Sequence, residues 1–436
     1  LEVHASTWGY AKFQVTAEGD FLELPKRFFG PQDFKEGVCL VDYVVNPARL
    51  HGGRNLGTFT LSGIRESMVV RVEARGYDQD LALPREGGRE NLGRYLKVRL
   101  EYEAGSGNSR QLLNQMRQEV EGLRRRGGET LLNVLLQAEL NILEGQKGRA
   151  GKLLDSHGAK LLQLRRDKPE QYCFYQYLLQ LLRRKEGQRD VLVGLVKKCL
   201  LEEGGHPYLL FLWMKLDPEL SENPTELLEQ IRRLFDRGCK SPFLYLHALR
   251  VYEKIPLLMQ QMGELEIQVM NFSVKRGLLG RELALRTAEL ADAAKGYHRL
   301  YHGILAALYE KYREKEFLRA ACAMLLKGDC RGEGYFPWYQ KAMDEGVGLP
   351  RLYEYFLYSL PEGYPRLLPR EVLLYFSYEK TMDDYIRSQL YVNILTYMKP
   401  EEELYKHYLR DIEQFTMEQL LGSRVNGRLV VLYRHM

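Results

Sequence analysis

A chain of 436 residues is longer than one ordinary core accommodates, so two or three folding units are expected. Hydrophobic residues make up 45% of it and charged residues 28%, which excludes a disordered chain. Its longest apolar stretches are broken by charge well short of the roughly 20 residues that a bilayer span needs, so no membrane insertion is expected.

Residues 1–104 read as short strands, and they predict an immunoglobulin-like β-sandwich. Ala11–Ala17 alternates, with Phe13 and Val15 on one face, and Val38–Val45 is a β-branched run that Asn46-Pro47 ends. Gly57–Leu61 and Met68–Ala74 alternate again, and Gly- and Pro-containing turns such as Glu18-Gly19-Asp20 and His51-Gly52-Gly53 separate the runs. Residues 91–103 fit two templates. Leu96, Val98, Leu100 and Tyr102 alternate as a strand, whereas Leu92, Tyr95, Leu96 and Arg99 suit a helix; the strand is preferred. Ala104–Ser109 is small and polar, as a linker should be.

From Ser109 the apolar period changes from 2 to 3.6, and helices of about 12 to 18 residues end at Gly or before Pro. Asp236-Arg237-Gly238-Cys239-Lys240-Ser241-Pro242-Phe243-Leu244-Tyr245 recurs 108 residues later as Asp344-Glu345-Gly346-Val347-Gly348-Leu349-Pro350-Arg351-Leu352-Tyr353. Gly accepts a left-handed helix end and Pro opens the next helix. Gly204-Gly205-His206-Pro207-Tyr208-Leu209 repeats the turn about 34 residues before Gly238, a period in the range of tetratricopeptide-like repeats. The expected architecture is multidomain, β then α: a sandwich over 1–104 and an all-α helical-repeat (TPR-like, α/α) superhelix over 105–436, with a subdivision near 200–220 as a secondary expectation. An open superhelix and a closed toroid both fit.

Six cysteines at 39, 173, 199, 239, 322 and 330 form no CxxC pair, so reduced thiols in a cytoplasmic protein are expected. The chain opens Leu1-Glu2-Val3-His4 with no Met and no basic-then-apolar leader, and it ends inside the apolar pattern Val430–Met436. An internal fragment of a longer protein is the expectation.

No catalytic, cofactor or metal constellation emerges. His298 and His302 stand one helical turn apart, but position 299 is Arg and no third ligand is indicated, so two surface histidines are preferred to a metal site. Gly105-Ser106-Gly107 lacks the Gly-Lys-Ser/Thr of a phosphate loop, and no Gly-x-Ser-x-Gly elbow occurs. Asp383-Asp384 and Glu401-Glu402-Glu403 fall at expected helix N-termini, where they complement the dipole.

Net charge is +5, and residues 105–200 hold 18 basic against 10 acidic groups. Arg124-Arg125-Arg126 and Arg183-Arg184-Lys185 therefore carry a nucleic-acid alternative, with ordinary solvated helix surface preferred. Tyrosine is concentrated too: 18 of 29 lie in the last 140 residues. Tyr335, Trp338, Tyr339, Tyr355 and Tyr358 are the candidate partner-binding residues, with plain packing the competing reading.

Asp42–Gly57 and Leu367–Lys380, in this order, resemble a family of very long proteins of clostridial Firmicutes with domains of unknown function. The resemblance implies no activity, cofactor or catalytic residue. The leading expectation is a non-enzymatic interaction scaffold that binds a peptide or protein partner on the solenoid surface. The alternative is a carbohydrate-active or carbohydrate-binding α/α toroid beside a sandwich.

Overall fold

The computed structural model describes residues 1–4, 12–19, 21–35, 37–46, 49, 53–63, 67–76, 86–128, 130–183, 187–202, 207–379, 382–422 and 427–435. Strands occupy the start: β1 (Glu2–His4), β2 (Phe13–Glu18), β3 (Leu22–Glu23), β4 (Phe28–Phe29), β5 (Phe34–Lys35), β6 (Val38–Leu40), β7 (Val44–Val45), β8 (Gly53–Ser62) and β9 (Ser67–Gly76). They form three antiparallel sheets, ordered β1-β6-β5, β4-β2-β8-β9 and β3-β7. The alternation seen in the sequence sets the inner face. Val15 and Phe59 are buried with Leu61, and they share one core with Phe21, Leu22, Phe29, Cys39 and Val41. β8 and β9 pair along their full length, from Gly53↔Gly76 to Ser62↔Ser67.

The run Val38–Val45 is two strands rather than one. Val38–Leu40 pairs with β1 and β5, while Val44–Val45 pairs with β3. Between them Val41 is buried and the Tyr43 ring meets Phe59 at 4.9 Å, so the run crosses from one sheet to another through the core. Gly57 in β8 marks a close approach of neighbouring chain. A Cβ there would stand 2.6 Å from Leu22 Cδ1 and 2.7 Å from the Glu18 carbonyl oxygen. Because backbone cannot yield as a side chain does, Gly57→Ala is expected to destabilise the β region by about 1–3 kcal/mol. An earlier loss of amide protection in β2 and β8 by hydrogen exchange would show it, and unchanged protection would refute it.

Helices follow: α1 (Glu86–Ala104), α2 (Ser109–Gly127), α3 (Leu131–Leu143), α4 (Lys147–Ser156), α5 (Gly158–Asp167), α6 (Pro169–Arg183), α7 (Gln188–Glu202) and α8 (Pro207–Leu216). The strand expected over 91–103 is therefore corrected to helix. Its inward stripe is Asn91, Tyr95, Arg99 and Leu100, at helical spacing, whereas Leu96 is exposed. Two polar members of that stripe disguised the period, because they are buried through specific partners rather than through hydrophobicity. The expected linker is confined to Gly105–Asn108. Gly105 and Gly107 take positive φ there, and the Asn108 side chain accepts from the Arg110 and Gln111 amides to cap α2.

The remaining helices are α9 (Pro218–Glu222), α10 (Pro224–Asp236), α11 (Pro242–Lys254), α12 (Glu264–Lys275), α13 (Arg281–Ala293), α14 (Arg299–Tyr312), α15 (Lys315–Lys327), α16 (Phe336–Asp344), α17 (Leu352–Tyr358), α18 (Arg370–Tyr378), α19 (Asp384–Tyr397), α20 (Glu403–Leu421) and α21 (Gly427–Arg434). The chain divides into two compact units: Leu1–Leu216 with Asp236–Cys239, and Asp217–Phe235 with Lys240–Met436. In the second unit the main packing partners of α11–α21 are the next helix and the next but one. No described helix is long and apolar enough to cross a membrane.

The repeated turn has the backbone its glycines require. Gly238 and Gly346 both take left-handed φ, at 99° and 65°. The copies then diverge. Pro242 is the first residue of α11, but Pro350 precedes α17, and Arg351 between them is itself left-handed at φ 64°. The third copy, at Gly204-Gly205-His206, lies outside the described residues. The acidic clusters are helix starts: Asp383 Oδ1 accepts from the Ile386 amide at 2.9 Å, and Glu402 is the N-cap of α20.

Candidate functional site

The five aromatic candidates separate by burial. Tyr339 on α16 and Tyr355 on α17 are core residues, 0% and 1% exposed, so neither offers its ring to a partner. Tyr339 donates to the Cys330 carbonyl at 2.6 Å, and its ring lies 5.9 Å from that of Tyr355. Tyr335, Trp338 and Tyr358 are half-buried. On α17 helical spacing alone groups Tyr353, Phe356 and Leu357 on one face. The structure buries Tyr355, Phe356 and Leu357 and leaves Tyr353 half-buried. The short helix is rotated because Tyr355 packs between α16 and the segment that follows α15.

A charged layer covers these rings. Asp329 accepts from the Tyr355 hydroxyl and, at 2.9 Å, from Arg331 Nε. The Arg331 guanidinium lies 4.4 Å from the Tyr358 ring centroid and 5.6 Å from that of Tyr355. Arg351 stands on the other side, 5.2 Å from the Tyr355 ring, with its Nε donating to Glu354 at 2.9 Å. Tyr375 on α18 donates to the other oxygen of Glu354 at 3.0 Å. Burial, reinforced by Asp329, raises the pKa of the Tyr355 hydroxyl; burial also raises that of Tyr358, so both stay protonated donors.

Asp329 and Arg351 are two of three non-glycine residues with left-handed φ among those described, at 48° and 64°. That conformation costs roughly 1–2 kcal/mol for a residue with a Cβ. Both belong to the same cluster, and such strain collects where surroundings hold a particular side-chain placement. None of Asp329, Arg331, Arg351, Glu354 and Tyr375 was singled out in the sequence. Charged residues near turns look like ordinary solvated surface, and no local pattern reports a left-handed Arg.

Trp338 forms a separate stack, at 5.5 Å from His302, 6.1 Å from Tyr309 and 5.3 Å from Lys341 Nζ. The two histidines thus do different things. His298 caps α14 by accepting from the Tyr301 amide at 3.3 Å. His302 turns inward against Tyr297 and Trp338, with Nε2 buried and without a hydrogen-bond partner. Among the described residues no group of three His, Cys, Asp or Glu is placed to hold a metal ion.

Burial lowers the pKa of His302 below its ordinary 6.5. Below about pH 6.5 the unfolded chain then binds a proton that the folded chain resists, so stability falls as pH drops through that value. His302→Phe, which keeps a ring against Trp338, is expected to flatten the dependence of melting temperature on pH between about 7.5 and 5.5. An unchanged slope would sink the assignment.

The basic segment is partly neutralised by its own partners. Arg124 and Arg125 are exposed, but Arg125 pairs with Glu121 at 3.8 Å. Arg183 bonds Asp155, while Arg184 and Lys185 lie outside the described residues.

Two charge networks are built instead on buried carboxylates, Glu139 and Glu266. In the first unit, Arg99 Nη2 donates to Glu139 at 3.2 Å and Nη1 to Glu103 at 2.7 Å, and Tyr95 donates to the second Glu139 oxygen at 3.1 Å. Burial, with Glu139 beside it, raises Tyr95 well above the usual phenol range and pushes Tyr177 up to about 12. In the second unit, Glu266 is 1% exposed and accepts from Arg232 and, at 2.8 Å, from Tyr252. These groups tie helices together.

A family model described as the N-terminal part of a family of unknown function (DUF5717) matches residues 1–436, and the chain belongs to that family. No curated protein matches the sequence.

Proposed function

We propose that this member of the family is a non-enzymatic interaction scaffold, and that its helices bind a peptide or protein partner at the patch built on Tyr358. The observation that carries the reading is the Arg331–Tyr358 stack, half-exposed beside the buried Tyr355, with the left-handed Asp329 accepting from both Arg331 and Tyr355. Arg and Tyr on a rigid support are the residue types that concentrate binding energy at protein interfaces. In this reading the β region is an immunoglobulin-like sandwich, which its shared core from several sheets supports. The helices are degenerate tetratricopeptide-like pairs, supported by the turn at Gly238 and Gly346. The clostridial setting expected from the resemblance is part of the same proposal.

Affinity capture from an extract of the source cells tests it, with the intact chain compared against the Arg331→Ala/Tyr358→Ala double variant. A retained protein whose recovery falls at least tenfold with the variant is expected, since two such residues typically cost over 1 kcal/mol each. Equal recovery on both baits, or nothing retained by either, would refute the patch. Loss of the retained protein on adding soluble oligosaccharide would favour the carbohydrate-binding alternative.

A further inference from the structure

Cys173 on α6 and Cys199 on α7 lie on helices that pack directly against one another within the first unit. Their Sγ atoms stand 3.8 Å apart. Cys173 is fully buried and Cys199 is 6% exposed. A disulfide needs the sulfurs to close to about 2.05 Å. The sulfurs already lie side by side on packed helices, so the pairing asks for no change of partner between helices.

We propose that Cys173 and Cys199 are an oxidation site that closes into an intrachain disulfide on exposure to a peroxide. The thiolate is the reacting form. Cys199, the more exposed of the two, attacks one peroxide oxygen; the O–O bond breaks, hydroxide leaves, and the sulfur becomes a sulfenic acid. The Cys173 thiolate then attacks that sulfur, so an S–S bond forms, the S–O bond breaks and a second hydroxide leaves. The two hydroxides take up the two thiol protons, giving two waters in all. The sulfurs together lose two electrons, and the peroxide gains them.

Burial is shared by every cysteine but Cys239, so the short Sγ–Sγ distance, not exposure, marks the pair. Cys39, Cys322 and Cys330 are buried, and burial pushes Cys322 up to about 12, which disfavours its thiolate. Cys239 is the one cysteine of intermediate exposure, so Cys239→Ser is the background that keeps its thiol out of the test. That protein is treated with hydrogen peroxide, quenched and alkylated under denaturing conditions, then digested for mass spectrometry.

Free thiols are expected to fall from five, the six cysteines less Cys239, to three. The Cys173 and Cys199 peptides should appear joined, two hydrogens lighter than their sum, and should separate on reduction with dithiothreitol. In the further variant Cys199→Ser, Cys173 should stay fully alkylatable. Full alkylation of both residues after peroxide would overturn the proposal, as would a Cys322–Cys330 linkage in place of theirs or loss of Cys173 in the Cys199→Ser protein.

Discussion

Arg99→Met is expected to lower the stability of the first unit by about 3–5 kcal/mol at neutral pH, because it strands two carboxylates in a site that has lost their counter-charge. The side chains of Arg99, Glu139 and Glu103 are 9%, 9% and 11% exposed, so water cannot replace the missing guanidinium. Burial alone would lower the pKa of Arg99, yet Glu139 and Glu103 beside it hold it above the ordinary value. Tyr95 adds a hydroxyl on the far oxygen of Glu139, and the Phe211 ring lies 5.8 Å from the guanidinium. Hydrogen exchange localises the loss: amides of α1 and α3 should exchange faster in the variant. A variant with methionine at 99, 103 and 139 and Tyr95→Phe should recover most of the stability, since it leaves neither a stranded charge nor a hydroxyl without an acceptor. A cost below about 1 kcal/mol for the single change would show that the carboxylates are not stranded by its loss.

Glu266→Ala is expected to cost the second unit about 2–4 kcal/mol, through loss of charge-assisted hydrogen bonds and the Tyr252 hydroxyl left without an acceptor. Tyr252 is 1% exposed and burial raises its pKa, so the hydroxyl cannot escape the penalty by ionising or by reaching water. Tyr252→Phe removes donor and need together and should cost only about 1 kcal/mol. The two changes share one contact, so the double variant should be less destabilised than the sum of the singles. Strict additivity in a denaturation series would mean that Glu266 is held by Arg232 alone.

The two networks share a design and were equally hard to read. Arg99 and Glu139 are 40 residues apart, and Arg232 and Glu266 are 34 apart. A single Arg on an amphipathic helix looks solvated until the packing of that helix is known. The same holds for the aromatics. Helical spacing places Tyr355 beside Tyr358 on the outer face of α17, but Arg331 and Asp329, from the segment after α15, cover it and leave only Tyr358 at the surface.

What the sequence by itself determined is local. The alternating runs became β2, β8 and β9, and the glycines at 238 and 346 became left-handed helix ends. The acids at 383 and 402 became N-caps, because each of these rests on neighbours within one turn. Tertiary structure alone decided that residues 91–103 are a helix, since Arg99 is buried against Glu139 and Asn91 against Gly122, both outside the segment. It also decided which tyrosines are core and that Arg351 is left-handed where its counterpart in the first turn, Phe243, lies inside a helix. Periodicity reports which face of a segment turns inward; the identity of what waits there, and so the energy of a polar or strained residue, is set by chain brought in from far along the sequence.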